Sequence, residues 1–317
     1  MSSLKTTPHV IRVEGSTLCQ LRCPTCPTTE GVVHANLGAG FLKATDFERL
    51  LDQQGSPGTV FELSNYGEVF LNPQIVDILR IAREREVWVS AYSGANLNTL
   101  KDEVLEAIVK YQMLGITCSI DGASDETYEK YRKRGNFTRV LNNVKRIVDL
   151  KRETGAILPY LNWQFVVFGH NEHEIESARS MATDLGMDFI LKTSWDEDIS
   201  PAHREENLCE HPFQDVISSP DTDGKQQPFY AENLCEQLWH RPQLNYDGRV
   251  LGCCVNVWGD FGGNAFEDFQ GAMNTEKIVY ARKMLQGATP PRSDIPCVNC
   301  SVYAARLERQ EWVVIPE

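Results

Sequence analysis

The sequence predicts an α/β fold, a partial (β/α)6 barrel of the TIM-like type followed by a small β-hairpin and helix module. Three observations carry that expectation. Apolar runs of strand length recur at 10–13, 60–63, 87–91, 116–120, 163–168 and 189–192. Segments with helical spacing of apolar residues lie between them, at 44–53, 73–84, 101–111, 136–153 and 172–185. The alternation then stops after Trp195, where the composition turns polar. Strands that alternate with helices form a parallel sheet, and in curled sheets of this kind functional residues gather at the strand C-terminal ends.

Each element has a local reason. The strand at 10–13 leads through Gly15 into a cysteine-rich loop. Thr45, ahead of Asp46 and Glu48, offers an N-cap with acidic residues in the first turn. Asn72-Pro73 sets proline at a first helical position. Residues 196–234 carry Ser219-Pro220, Pro220-Asp221 and Asp223-Gly224 and read as a long bridging loop. Apolar stretches at 243–250 and 252–257, with Asp247-Gly248 among them, read as a hairpin. A helix is expected at 274–286 before Pro290-Pro291 breaks it. The domain division expected is thus 1–195, 196–234 and 235–317.

The chain has 317 residues, enough for about two domains at ~150 residues each. With 31 Lys and Arg against 44 Asp and Glu, its net charge is −13. Nucleic acid and anionic membranes both need clustered basic residues, so neither is an expected partner. No run approaches the ~18–20 apolar residues of a membrane span. The first eight residues, Met1 to Pro8, lack the apolar core of a signal peptide, and a cytoplasmic location is expected. Ten cysteines stand at 19, 23, 26, 118, 209, 235, 253, 254, 297 and 300. A disulfide framework suits small exported domains, so clustered thiols in this chain point to metal.

Cys19, Cys23 and Cys26 form a C-x3-C-x2-C triplet directly after the first strand. Three thiolates can hold one corner of an iron–sulfur cluster, whereas zinc needs a fourth ligand such as His34. The triplet resembles the signature of the radical S-adenosylmethionine (SAM) superfamily, whose [4Fe–4S] cluster leaves one iron open. Further motifs follow in the family's order. Ser64 to Pro73, with Tyr66, Gly67 and Glu68, resembles the Gly-Gly-Glu-Pro motif that holds the SAM amino group. Ser93 to Asn96 ends the third strand, and Ser119-Ile120-Asp121-Gly122 ends the fourth, where the family contacts ribose. Arg134-Gly135 is similar to the segment whose arginine pairs with the SAM carboxylate, a task that suits a planar guanidinium. Gln164, Val167 and Asn171 carry the fifth strand into its helix, near the adenine expected by resemblance. Tyr66 replaces the family's first Gly, and Thr25 stands where an aromatic ring is common.

Cys235, Cys253, Cys297 and Cys300 supply four more thiolates, which saturate a [4Fe–4S] cluster or a zinc ion equally well. Their pattern resembles the auxiliary-cluster domain called twitch, a shortened relative of SPASM. The spacing is similar to that of the 2-deoxy-scyllo-inosamine dehydrogenases, which are radical SAM alcohol oxidases. Cys254, beside a ligand, either packs or donates a hydrogen atom. Cys118 reads as a core residue, and Cys209 has no evident partner.

The resemblance implies two [4Fe–4S] clusters and SAM as cofactors, with a flavodoxin- or ferredoxin-type electron donor. It implies reductive cleavage of SAM to a 5′-deoxyadenosyl radical that takes hydrogen from the substrate. The substrate radical then either loses an electron, oxidising an alcohol, or regains hydrogen from Cys254, which is an epimerisation. The first strand begins by Val10, which leaves no space for a leader-binding domain and favours a small polar substrate such as a sugar or aminocyclitol over a ribosomal peptide. Candidate barrel-mouth contacts are Lys192, Trp195, Asp196 and Asp198, with His170 and His173 nearby. A zinc-stabilised binding protein is the non-enzymatic alternative.

Overall fold

The computed structural model describes Pro8 and residues 10–194, 199–200 and 234–315. Six strands run parallel in sequence order: β1 (Val10–Val13), β2 (Val60–Glu62), β3 (Trp88–Ala95), β4 (Gly115–Ser119), β5 (Tyr160–Val167) and β6 (Asp188–Thr193). The crossover helices are α2 (Ala44–Gln54), α3 (Ile75–Glu84), α4 (Asp102–Lys110), α6 (Phe137–Thr154) and α7 (Ile175–Asp184). This is the mixed α/β architecture of a partial barrel. Each crossover turns an apolar stripe onto one face of the sheet. Helix α3 buries Ile75, Ile78, Leu79, Ile81 and Ala82, and α6 buries Val140, Val144 and Ile147. They meet Ile11, Val13, Phe61, Val89, Ile116 and Phe165 from the strands in one continuous core. Each such side chain contributes about 1.5–3 kcal/mol on burial, which fixes the register of the whole sheet.

The other sheet face is not apolar. Because side chains alternate along a strand, Arg12, Glu62, Ser90, Thr117, Ser119, Asn162 and Gln164 point away from the helices. Gln243, Arg12, Glu62 and Ser90 stand side by side in register across four strands. An ordinary closed barrel fills its interior with branched apolar side chains. Here the interior is a polar lumen.

The C-terminal module joins the same sheet. After α8 (Gln237–His240), β7 (Gln243–Leu244) pairs parallel to β1, and β8 (Val250–Gly252) pairs antiparallel to β7. The strand order is therefore β6-β5-β4-β3-β2-β1-β7-β8. The Asp247-Gly248 turn lies where expected, with Gly248 at φ +87°. The strands are shorter than expected, because the chain leaves β8 at Gly252, φ +81°, into the turn carrying Cys254. Helices α9 (Phe269–Ala272), α10 (Glu276–Leu285) and α11 (Ser301–Arg309) complete the module.

Two short helices lack an apolar period long enough to read: α1 (Val32–Leu37) and α5 (Asp125–Tyr131). The N-cap expected at Thr45 is not used. Helix α2 begins at Ala44, with Lys43, two residues before Thr45, at the cap position and no side-chain cap bond. Helix α6 is capped at both ends, since Asn136 accepts from the Arg139 amide at 2.7 Å and Gly155 ends it at φ +68°. No described helix is long and apolar enough to cross a membrane. Residues 196–198 and 201–233 of the bridging segment, with Cys209, Trp195, Asp196 and Asp198, lie outside the described residues.

Candidate active site

The first three thiols lie in the loop between β1 and α1. Cys23 is buried, and Cys19 and Cys26 are half-buried. Burial pushes the Cys19 thiol up to about 12 and raises Cys23 as well. Such thiols ionise only against a compensating cation, as a bound metal provides. Two of the sulfurs have donors beside them. Asn96 Nδ2 lies 3.6 Å from Cys19 Sγ, and Arg132 Nη1 lies 4.0 Å from Cys23 Sγ. His34, which a zinc site would borrow, instead bonds the Thr17 carbonyl at 2.9 Å.

The loop after β2 closes over these cysteines. The Glu68 amide donates to the Leu18 carbonyl at 2.8 Å, so the Gly67-Glu68 backbone lies on the segment that enters Cys19. A Cβ on Gly67 would stand 2.0 Å from the Ser16 carbonyl oxygen, which explains glycine there. Glu68 is buried, and its oxygens accept from the Asn96 amide at 2.6 Å and the Phe70 amide at 3.3 Å. Burial raises its pKa to about 7 against those bonds. Asn96 thus links Glu68 to Cys19, and its Oδ1 accepts from Gln20 at 2.7 Å. Ser93 is held differently: its hydroxyl accepts from Arg12 Nη2 at 2.8 Å.

At the ends of β4 and β5, Asp121 is fully buried. Its Oδ2 accepts from Arg132 Nε at 2.6 Å and its Oδ1 from the Val166 amide at 2.8 Å. Burial works against the Arg132 charge, and Asp121 together with Cys23, Tyr128 and Tyr131 more than restores it. Arg134 is exposed, with φ +69°. The guanidinium that faces the thiols is therefore that of Arg132, two residues earlier. Ser119 stands against Gly94, where a Cβ would approach its hydroxyl to 2.8 Å. Gln164 Oε1 is buried without a partner and is thus open to a ligand donor. Val167 points into the main core instead, and Asn171 braces the turn through Asp121 O, Val166 O and the Phe168 amide. Nearby, His170 stacks on Phe168 with centroids 5.3 Å apart, and its Nδ1 meets Ser200 Oγ at 3.0 Å.

The four C-terminal thiols come together. Cys235, Cys253, Cys297 and Cys300 all line one cavity of about 380 Å³, open solvent at its mouth included. Leu234, Leu238, Phe261 and Leu285 supply apolar walls. Burial pushes Cys235 up to about 11 and Cys253 up to about 12. A single zinc ion would need four sulfurs within ~2.3 Å of one point. Among the described residues, no three His, Cys, Asp or Glu side chains are grouped to hold one ion. The nine described cysteines are free thiols, and Cys118 is a fully buried core residue.

Cys254 sits at the seam between the two thiol sets. Its carbonyl accepts from Tyr66 Oη at 2.6 Å and Asn65 Nδ2 at 3.0 Å. Its amide donates to Gln237 Oε1 at 2.9 Å, which fixes that side chain's orientation and turns Nε2 toward Cys254 Sγ, 3.4 Å away. Tyr66 also packs on a separate small core of Val33, Leu37, Leu251 and Val257.

Sequence reasoning missed Arg12, Glu14, Glu62, Asn65, Arg132 and Gln237. Glu14 is fully buried and accepts from the Tyr66 amide at 3.2 Å and the Gly67 amide at 3.3 Å, so it supports the motif from below. The signal was present in the alternation of charged Arg12 and Glu14 with apolar Ile11 and Val13.

The Radical SAM superfamily pattern matches residues 13–181, more than half the chain. The AdoMet-dependent heme synthase of Methanosarcina barkeri (strain Fusaro / DSM 804) is 24% identical over 217 residues, 66% of this chain and 59% of that relative. The chain thus spans less than two thirds of that curated relative. Streptococcus suis SuiB bound to S-adenosylmethionine superposes with a TM-score of 0.64 at 14% identity, over 94% of this chain and 72% of that one. BtrN in complex with AdoMet and 2-DOIA gives 0.53 at 16% identity, over 95% and 94%. Both are likenesses of fold. The superfamily's SAM and [4Fe–4S] cluster accord with the largely shielded thiols after β1, with Asn96 and Arg132 near two of them, and with the tight Gly67-Glu68 loop. On the matched pattern and this architecture together, the chain belongs to the radical SAM superfamily.

Proposed function

We propose that this chain is a two-cluster radical SAM enzyme that oxidises an alcohol of a small polar substrate such as a sugar or aminocyclitol. The observation that carries it is the convergence of Cys235, Cys253, Cys297 and Cys300 on one apolar-walled cavity. Thiols that ring a cavity suit a cluster better than a single ion, and this favours an auxiliary [4Fe–4S] cluster in a twitch- or SPASM-like module over zinc. When bound, SAM and the two clusters supply the hydrogen-abstracting oxidant and an acceptor for the second electron. The protein's part is to position and to exclude water. Cys19, Cys23 and Cys26 hold the first cluster, and Tyr66, Gly67, Glu68, Ser93, Asn96, Ser119, Asp121 and Gln164 frame SAM. Arg132 takes the carboxylate role expected of Arg134, because it is the guanidinium held beside Cys23. The polar lumen supports a polar substrate.

A second reading is epimerisation with Cys254 as hydrogen-atom donor. It is favoured by the Gln237 clamp on that thiol and by the bonds from Asn65 and Tyr66 to its carbonyl. Peptide modification draws support from SuiB, whose fold is similar and which has been solved with the precursor peptide SuiA.

The test is iron and sulfide content after anaerobic reconstitution. About eight irons in the wild type and about four in a Cys19/Cys23/Cys26→Ala variant are expected for two [4Fe–4S] clusters. About four irons with zinc bound in the wild type would end the oxidation reading.

A further inference from the structure

Arg12 stands in the middle of the polar row that crosses the lumen, between Gln243 and Glu62 in register. It is half-buried and makes no ion pair among the described residues. Its Nε donates to Gln243 Oε1 at 3.0 Å, and its Nη2 donates to Ser93 Oγ at 2.8 Å and Asn65 Oδ1 at 3.3 Å. All three partners are neutral, and Nη1 has none among the described residues.

Among the described residues, neither neighbouring carboxylate forms an ion pair with it. Glu62 is engaged by the Ser64, Tyr92 and Ser93 amides and by the Ser64 and Ser90 hydroxyls. Glu14, two residues along the same face, is kept protonated at neutral pH by burial, which raises its pKa to about 8. Arg241 is close enough to feel the Arg12 charge, which helps burial to lower its own pKa. A chain of net charge −13 thus carries, on the inner face of its sheet, a guanidinium with no ion-pair partner among the described residues. On β5, across the lumen, Asn162 Oδ1 is buried without a partner among the described residues, while its Nδ2 donates to Thr117 Oγ1 at 3.2 Å.

We propose that Arg12 Nη1 binds an anionic oxygen, carboxylate or phosphate, of a polyhydroxylated small substrate, and that Asn162 Oδ1 accepts from one of its hydroxyls. This rests on the small-polar-substrate reading above and narrows it to acid-bearing sugars. Charge-assisted bonds to a guanidinium oriented in advance by three fixed partners are strong and selective. A neutral analogue leaves those donors unanswered and a cationic one is repelled.

The test is calorimetric titration of reconstituted, SAM-loaded enzyme at fixed ionic strength with four probes: D-glucose, D-glucosamine, D-glucuronate and D-glucose 6-phosphate. At least one anionic probe should bind about tenfold or more tightly than glucose, with glucosamine weakest. The tighter of the two anions identifies carboxylate or phosphate. Arg12→Gln should abolish the preference, whereas Arg12→Lys, which keeps the charge and loses the fork, should keep part of it. Asn162→Leu should weaken the sugars alike and leave the anion preference intact. Glucose binding as tightly as both anions, no binding of either anion, or a preference that survives in Arg12→Gln would overturn the proposal. Iron content and dithionite-driven release of 5′-deoxyadenosine, measured on the same samples, report separately on the radical SAM reading.

Discussion

Gly67→Ala tests whether the close backbone approach at the motif matters. The added methyl would stand 2.0 Å from Ser16 O, 2.6 Å from Ser16 C and 2.8 Å from Leu18 O. These are backbone atoms, so no side chain can swing aside. An ordinary contact lies near 3.4 Å, so the two segments must part by about 1.4 Å, and overpacking of this kind costs about 1–3 kcal/mol. The Glu68 to Leu18 bond, 2.8 Å long, lies in the path of that movement. Displacing a positioning group by about 1 Å lowers a rate by about a hundredfold. Dithionite-driven 5′-deoxyadenosine release from reconstituted enzyme should therefore fall by about two orders of magnitude, with a lower melting temperature. Gly155→Ala is the control. It places alanine at φ +68° at the end of α6, with nothing within 4 Å of the new methyl. It should cost about 1 kcal/mol through backbone strain and leave the release rate unchanged. A Gly67→Ala enzyme with wild-type release and melting temperature would refute the reasoning.

Two further outcomes concern buried charge. Burial raises the Glu14 pKa from 4.5 to about 8, so between those values the folded chain holds a proton that the unfolded chain has lost. Stability must then fall as pH rises through that window, by at most about 5 kcal/mol. Glu14→Gln removes the dependence, so its melting temperature relative to wild type should climb from pH 4.5 to 8 and level off above. A difference constant with pH would contradict the assignment. Asp121→Asn leaves Arg132 without its 2.6 Å partner in a site where Asp121 is fully buried. Urea unfolding should show a loss of about 3–5 kcal/mol, and combining it with Arg132→Met should return part of that loss.

Much of the site was legible because its chemistry is local. Cys19, Cys23 and Cys26 lie within one loop, and Ser93, Ser119 and Gln164 each lie on a strand that announces itself by an apolar run. Arg132 and Arg134 illustrate the limit: both precede Gly135 and either would serve by type. The choice between them depends on the turn after α5, where Arg134 takes a left-handed backbone and faces out while Arg132 reaches Asp121. Val167 shows the same limit, since one step along a strand reverses the face, and its side chain joins the core on the helix side.

By itself the sequence determined the βα rhythm, the two thiol sets and the order of the motifs, because periodicity and ligand spacing are properties of neighbouring residues. The tertiary structure alone decided that β7 joins the sheet beside β1, which brings Gln243 to Arg12 and Cys254 to Tyr66 across some 190 to 230 positions of chain. It also decided that the inner face is a polar lumen with buried Glu14 and half-buried Arg12. Alternation along β1 marks Ile11 and Val13 as the helix-facing set, but which polar groups the opposite face brings together is decided only when distant strands pair.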